Sequence, residues 1–139
     1  MRQGMTPRRL GRFRHLSLGL VLAASLLPAA AQTVGSPYAV LEGRWVRPDG
    51  GYTLYIRAVD ASGRIEASYA NPRPLPFEKA HAALEGRTLK LQFELRAGGY
   101  SGSTYTLRYN ATSDTLDGEY FQAVAQQTYP VRFHRLPGP

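Results

Sequence analysis

The chain has 139 residues, 17 Lys+Arg against 10 Asp+Glu, and no cysteine. The absence of thiols excludes disulfide staples and thiolate-held zinc. The basic excess sits at one end: five of the 17 cations and no acid lie in 1–31, so 32–139 carries 12 against 10, a net charge of +2. That balance removes the electrostatic argument for a nucleic-acid partner.

The first segment reads as a targeting signal. Arg2, Arg8, Arg9, Arg12 and Arg14 form a basic head, residues 16–27 are apolar, and Ala29, Ala30 and Ala31 offer the small side chains that a signal peptidase reads. The expectation is a signal peptide over 1–31, cut before Gln32. The apolar run is shorter than the ~20 residues that span a bilayer, and no cysteine follows it to carry a lipid. Cleavage then leaves no membrane span. The remaining 108 residues, 32–139, are enough for a single core. The signal's composition resembles bacterial ones, so the expected location is periplasmic or secreted. Asn110-Ala111-Thr112 is accordingly read as a turn, not a glycan acceptor.

After a polar lead-in, Leu41, Gly43 and Trp45 alternate with Glu42, Arg44 and Val46, giving a first strand. Residues 47–51 (RPDGG) turn. Tyr52, Leu54 and Ile56 line the inner face of a second strand, and 60–63 (DASG) turn again. Ile65, Ala67 and Tyr69 mark a third. The prolines of 71–76 (NPRPLP) lack ladder donors, so that segment is expected to be polyproline-like and outside the sheet. Over 77–84, Ala80, Ala82 and Leu84 share one face while Phe77 falls on the other; a strand with a bulge resolves this, with an alanine-rich helix as the rival.

The most regular alternation is in 88–95 (TLKLQFEL) and 104–109 (TYTLRY), joined by the glycine-rich 96–103. Residues 111–114 turn. Leu116, Gly118 and Tyr120 face inward on a seventh strand, with Asp117 and Glu119 outside. After a polar 122–127, Tyr129, Val131 and Phe133 alternate with Thr128, Arg132 and His134 in an eighth.

No connection is long enough for a parallel crossover. The predicted fold is therefore all-β, an eight-stranded antiparallel up-and-down barrel, with a two-sheet sandwich as the alternative. In a meander, connections alternate between ends. Turns 47–51, 71–76, 96–103 and 122–127 gather at one end, and 60–63, 85–87 and 111–114 at the other. The long loops all fall in the first set, which marks that end as a rim for binding and the other as a floor.

Leu41-Glu42-Gly43-Arg44-Trp45, with Gly50-Gly51, Gly63 and Tyr69, resembles the start of an avidin-type barrel, and Gly43-Arg44-Trp45 is similar to the Gly-X-Trp signature of lipocalins and other calycins. That resemblance implies a basic residue from the last strand packed across Trp45, with Arg132 and Arg135 as the candidates. It does not extend to biotin: Trp45 is the only tryptophan, and Arg47 stands where the avidin pattern has an asparagine. Residues 69–74, 101–105 and 118–124 resemble a group of small exported proteobacterial proteins, from which no function follows.

Tyr52, Tyr69, Tyr105, Tyr109, Tyr120 and Tyr129 are all predicted to face inward, where their hydroxyls need partners. The candidate ligand-binding set is the rim group Asn71, Arg73, Tyr100, Ser101, Ser103, Gln122, Gln126 and Gln127. It supplies a cation, neutral hydrogen-bonding groups and a stacking ring, suited to a sugar, peptide or anionic group. Residues 99–103 (GYSGS) lack the last glycine and the strand-to-helix context of a nucleophile elbow. His81 and His134 face outward without catalytic partners, and Asp114, Asp117 and Glu119 do not match a calcium loop. No catalytic set, metal site or cofactor is expected. The predicted role is binding of a small polar ligand or peptide at the loop-rich end, with an envelope protein-interaction module as the alternative. A hollow interior favours the first and a packed one the second.

Overall fold

The computed structural model describes residues 35–70, 72–96 and 100–138, together with Gly4 and Gly11. The chain divides into two units, Met1–Gln32 and Thr33–Pro139. The expected signal peptide lies, apart from those two glycines, outside the described residues. The described strands all belong to the second unit.

A 3₁₀ turn, Ala39–Leu41, leads into eight strands: β1 (Gly43–Arg47), β2 (Tyr52–Val59), β3 (Ile65–Ala70), β4 (Pro74–Glu85), β5 (Thr88–Leu95), β6 (Thr104–Asn110), β7 (Thr115–Gln122) and β8 (Gln127–Leu136). Each pairs antiparallel with its neighbours in sequence, and β1 pairs with β8, so the sheet closes into an up-and-down barrel. Closure gives every strand a partner on both sides, along part of its length. The sandwich is excluded. Leu41 ends the 3₁₀ turn instead of starting β1, but it stays on the core side of the alternation and is fully buried.

Period-2 alternation carries the core. Along β5, Leu89, Leu91, Phe93 and Leu95 are buried while the intervening polar side chains are not. With Trp45, Leu54, Leu107 and Phe133 they fill the barrel. The interior is packed by side chains, as expected for a small barrel of this strand number.

The proline-rich segment corrects an expectation. Pro74 and Pro76 are inside β4 and pair with Ala70 and Ser68 of β3, with Leu75 opposite Tyr69 between them. In an antiparallel ladder, hydrogen-bonded and non-bonded pairs alternate. Leu75 and Tyr69 form the bonded pair, and the two prolines occupy the non-bonded ones, with their donorless nitrogens turned the other way. On that side the β5 ladder begins only at Phe77. No bond is lost. The bulge expected near Phe77 is present, as a register shift between Phe77 and Lys79, and it returns Phe77 to the core side.

Two other inward positions are corrected. Leu84 is 48% exposed and Tyr129 43%. Both have inward parity, but Leu84 is one pair from the 86–87 turn, where the barrel ends. β1 accompanies β8 only as far as the Val46–His134 pair, so Tyr129 stands above the wall that would cover it.

At the floor, Trp45 Nε1 donates to the Leu41 carbonyl at 2.9 Å and the ring meets Tyr109 edge-on. The Arg135 guanidinium lies over the same ring, 4.1 Å from its centroid. Gly43, at φ +135°, leaves room for it: a Cβ there would sit 2.9 Å from Arg135 Nη1. Of the two candidate arginines, Arg135 thus covers Trp45. Arg132 points outward and pairs with Asp117 at 2.6 Å.

Candidate functional site

The end expected to be loop-rich carries the connections 48–51, 71–73, 96–103 and 123–126; only 96–103 is long, because β4 and β8 take up most of the proline- and glutamine-rich segments. β1 ends there in Arg47, whose parity with Gly43 and Trp45 turns it inward. It is 8% exposed, unusual for an arginine. Its Nε and Nη2 donate to the two carboxylate oxygens of Asp49, at 3.0 and 2.8 Å, and Nη1 donates to the Tyr105 hydroxyl at 3.0 Å. The guanidinium also faces the rings of Tyr52, Tyr105 and Tyr120, its carbon 5.0, 6.0 and 5.9 Å from their centroids.

The turn after β1 makes this possible. Pro48 stops the strand, and Gly50 and Gly51 bend the chain back, both bonding to the Arg47 carbonyl. A Cβ on Gly50 would lie 2.4 Å from the Tyr52 ring, so glycine there lets Tyr52 fold against the hairpin and over Arg47. From Tyr52 the rings continue around the end: Tyr52 stacks on Tyr69 at 5.4 Å, Tyr69 tilts against Tyr105 at 5.9 Å, Tyr105 stacks on Tyr120 at 4.7 Å, and Tyr120 on Tyr129 at 6.4 Å. The Tyr69 and Tyr105 hydroxyls share a hydrogen bond at 3.2 Å.

Burial works against the Arg47 charge. The bonds to Asp49 and Tyr105 outweigh it and hold the guanidinium above its ordinary range. The bonds from Arg47 in turn hold the Asp49 carboxyl below the usual carboxylate value. Burial pushes the Tyr69, Tyr105 and Tyr120 hydroxyls up. These tyrosines therefore remain neutral donors at physiological pH, beneath one fixed cation.

The rim residues named from the sequence fare differently. Asn71 lies outside the described residues. Arg73 is exposed in the β3–β4 turn, and Tyr100 is 40% exposed on the β5–β6 loop. Ser101 donates to the Arg96 carbonyl at 3.0 Å. Ser103 is fully buried, and its hydroxyl accepts the Ala123 N–H at 3.0 Å, tying the β5–β6 loop to the β7–β8 turn. The three glutamines build that turn. Gln122 accepts from the Ala125 N–H, Gln126 donates to the Ala123 carbonyl, and Gln127 accepts from the Tyr129 hydroxyl. Loop shape is what Ser103 and these glutamines provide. Arg47 was missed as a site residue, although its parity with Trp45 was readable.

A separate cleft of about 790 Å³ opens in the barrel wall between β3 and β4, over Ile65, Ala67, Phe77 and Ala80. It lies where the β3–β4 ladder lapses below Ser68–Pro76, before the Arg64–His81 bridge restores it. Among the described residues, no group of three His, Cys, Asp or Glu side chains is placed to hold a metal ion, and no helix is long and apolar enough to cross a membrane. No family model, curated protein or solved structure matches the chain.

Proposed function

We propose that 32–139 is an exported barrel of the bacterial envelope that binds a polar ligand or peptide at its loop-rich end. The observation that carries this reading is Arg47: a nearly buried cation, ringed by tyrosines, at the end that carries the 96–103 loop, the longest connection between strands. Because the interior is packed, contact is made on the rim, by Tyr52 and Tyr120 over Arg47, by Tyr129 stacked on Tyr120, and by Tyr100 exposed on the 96–103 loop. Arginine and tyrosine in this arrangement are the residue types that concentrate binding energy at protein surfaces.

The test is a thermal-shift screen of the exported protein against amino acids, short peptides and sugars, repeated on Arg73→Ala and Tyr100→Ala. A stabilising ligand whose effect falls in either variant is expected. A screen in which no ligand gives a shift sensitive to either change sinks the reading.

A second reading is favoured by the packed interior together with Val124, 72% exposed in the β7–β8 turn at the same end. In it the rim docks on a folded envelope protein and the chain serves as an inhibitor or accessory subunit. Crosslinking from a photoreactive residue at position 124 discriminates the two: a single protein adduct supports docking, and its absence leaves the ligand reading.

A further inference from the structure

We propose that Asp49 is a built-in stand-in for a ligand carboxylate, and that the partner recognised at the rim presents a carboxylate to Arg47 in its place. This rests on the rim reading above and names its chemistry. Arg47 and Asp49 are two residues apart, and the carboxylate engages the guanidinium fork through both oxygens. Two-point recognition of this kind is what the planar guanidinium is shaped for.

The two partners are unequally exposed. The Arg47 side chain is 10% accessible and that of Asp49 58%. The cation is fixed: its stem is inside the barrel, Nη1 is held by Tyr105, and three rings surround it. The anion is on a Pro-Asp-Gly-Gly turn, and Gly51 adopts φ +65°. Asp49 is the solvent side of the pair, so its carboxylate can swing out; the nearly buried Arg47 charge it leaves is then uncompensated, and an incoming carboxylate restores the pairing. The swing vacates a bidentate anion position lined by tyrosine. The guanidinium has five N–H donors, of which the three bonds to Asp49 and Tyr105 use three. On exchange Nε and Nη2 pass from Asp49 to the incoming carboxylate, while Nη1 stays with Tyr105.

The stand-in is a carboxylate, and this sets the ligand class: a free small carboxylate or the C-terminal carboxylate of a peptide. The Tyr52 and Tyr120 faces beside it suit the residue that carries the group. The exchange is one carboxylate for another, with no proton transferred and no change in local charge.

The experiment follows the Arg47 Nε–H resonance of the exported protein by NMR. The probes are acetate, an N-acetylated tripeptide with a free C-terminus, the same tripeptide as its C-terminal amide, and inorganic phosphate. The free-acid tripeptide is expected to move the Arg47 signal and the amide to leave it in place. Tighter binding of the tripeptide than of acetate identifies a peptide end, and equal binding identifies a free carboxylate. Asp49→Asn, which removes the competitor, is expected to tighten carboxylate binding about two- to fivefold. Arg47→Gln abolishes it; because that change also takes a partner from Tyr105 and can cost the fold, Asp49→Asn carries the decision. No tightening in Asp49→Asn, equal binding of the amide, or preference for phosphate overturns the inference. A probe that moves the Tyr100 and Tyr129 signals but not Arg47 overturns it while the rim reading stands. No response at any of the three sites also overturns the inference, and the rim reading then stands or falls on the sugar and amino-acid arms of the thermal-shift screen.

Discussion

The Arg135 guanidinium lies over the Trp45 ring, and the two residues are directly opposite across the β1–β8 pairing. It donates to the Glu42 and Val40 carbonyls at 2.7 and 2.6 Å and to both oxygens of Asp114 at 2.7 and 3.0 Å. One side chain thus satisfies the 3₁₀ lead-in, the β6–β7 turn and the ring beneath it. Arg132, three residues before it, makes a solvated pair with Asp117. Arg135→Ala is expected to lower stability by about 2–4 kcal/mol. Arg132→Ala is expected to cost about 0–1 kcal/mol. Urea unfolding of the two variants checks the difference, and equal midpoints would contradict the assigned role.

Acid should weaken the fold through the same contact. Hydrogen bonds from Arg135 hold the Asp114 carboxyl below its ordinary 3.8, and those from Arg47 do the same for Asp49. A depressed carboxyl contributes stability that is fully present above its unfolded value and is lost as pH falls through its folded value. Stability is therefore expected to be flat toward neutrality and to decline below about pH 4. Asp114→Asn should be less stable at neutral pH and lose less on acidification, as read from unfolding midpoints at about pH 7 and about pH 3.

Alkali should act at the other end. The buried Tyr69 and Tyr105 hydroxyls have their pKa values raised, first by burial. A raised group contributes stability that is complete below its unfolded value, near 10 for both, and is lost as pH climbs toward the folded value. The wild-type chain is expected to begin losing stability near pH 10 and to go on losing it as the pH rises further. Tyr69→Phe should cost about 1 kcal/mol at neutral pH, for the bond to Tyr105, and show a smaller loss over the alkaline interval. An identical alkaline slope in the variant would place the sensitivity elsewhere.

Much of the barrel was legible because its signal is local. Leu89, Leu91, Phe93 and Leu95 announce a face by alternation alone, and short connections leave an antiparallel meander as the economical path. Pro74 and Pro76 were misread because composition was weighed without register: two prolines at equal parity tolerate pairing on one side. Arg135 could have been separated from Arg132 by the parity of Val131 and Phe133, which 135 continues and 132 breaks. The same test turns Arg47 inward. The glutamines of 122–127 were different. Nothing in their composition distinguishes a side chain that meets solvent from one that closes its own turn, because that depends on the positive φ of Gln126, 54°.

The β1–β8 pairing also shapes how the molecule is assembled in time. Seven ladders join consecutive strands, so each can form as a local hairpin. The eighth joins the two ends of the domain, and Arg135 reaches carbonyls 93 and 95 residues upstream to secure it. Loop-closure entropy makes that contact the least favourable to nucleate, and distant contacts of this kind slow folding. Until the last strand arrives, β1 and β7 each keep an open edge. Loss of β8 would therefore undo two walls at once and expose the strands most prone to pair with another chain.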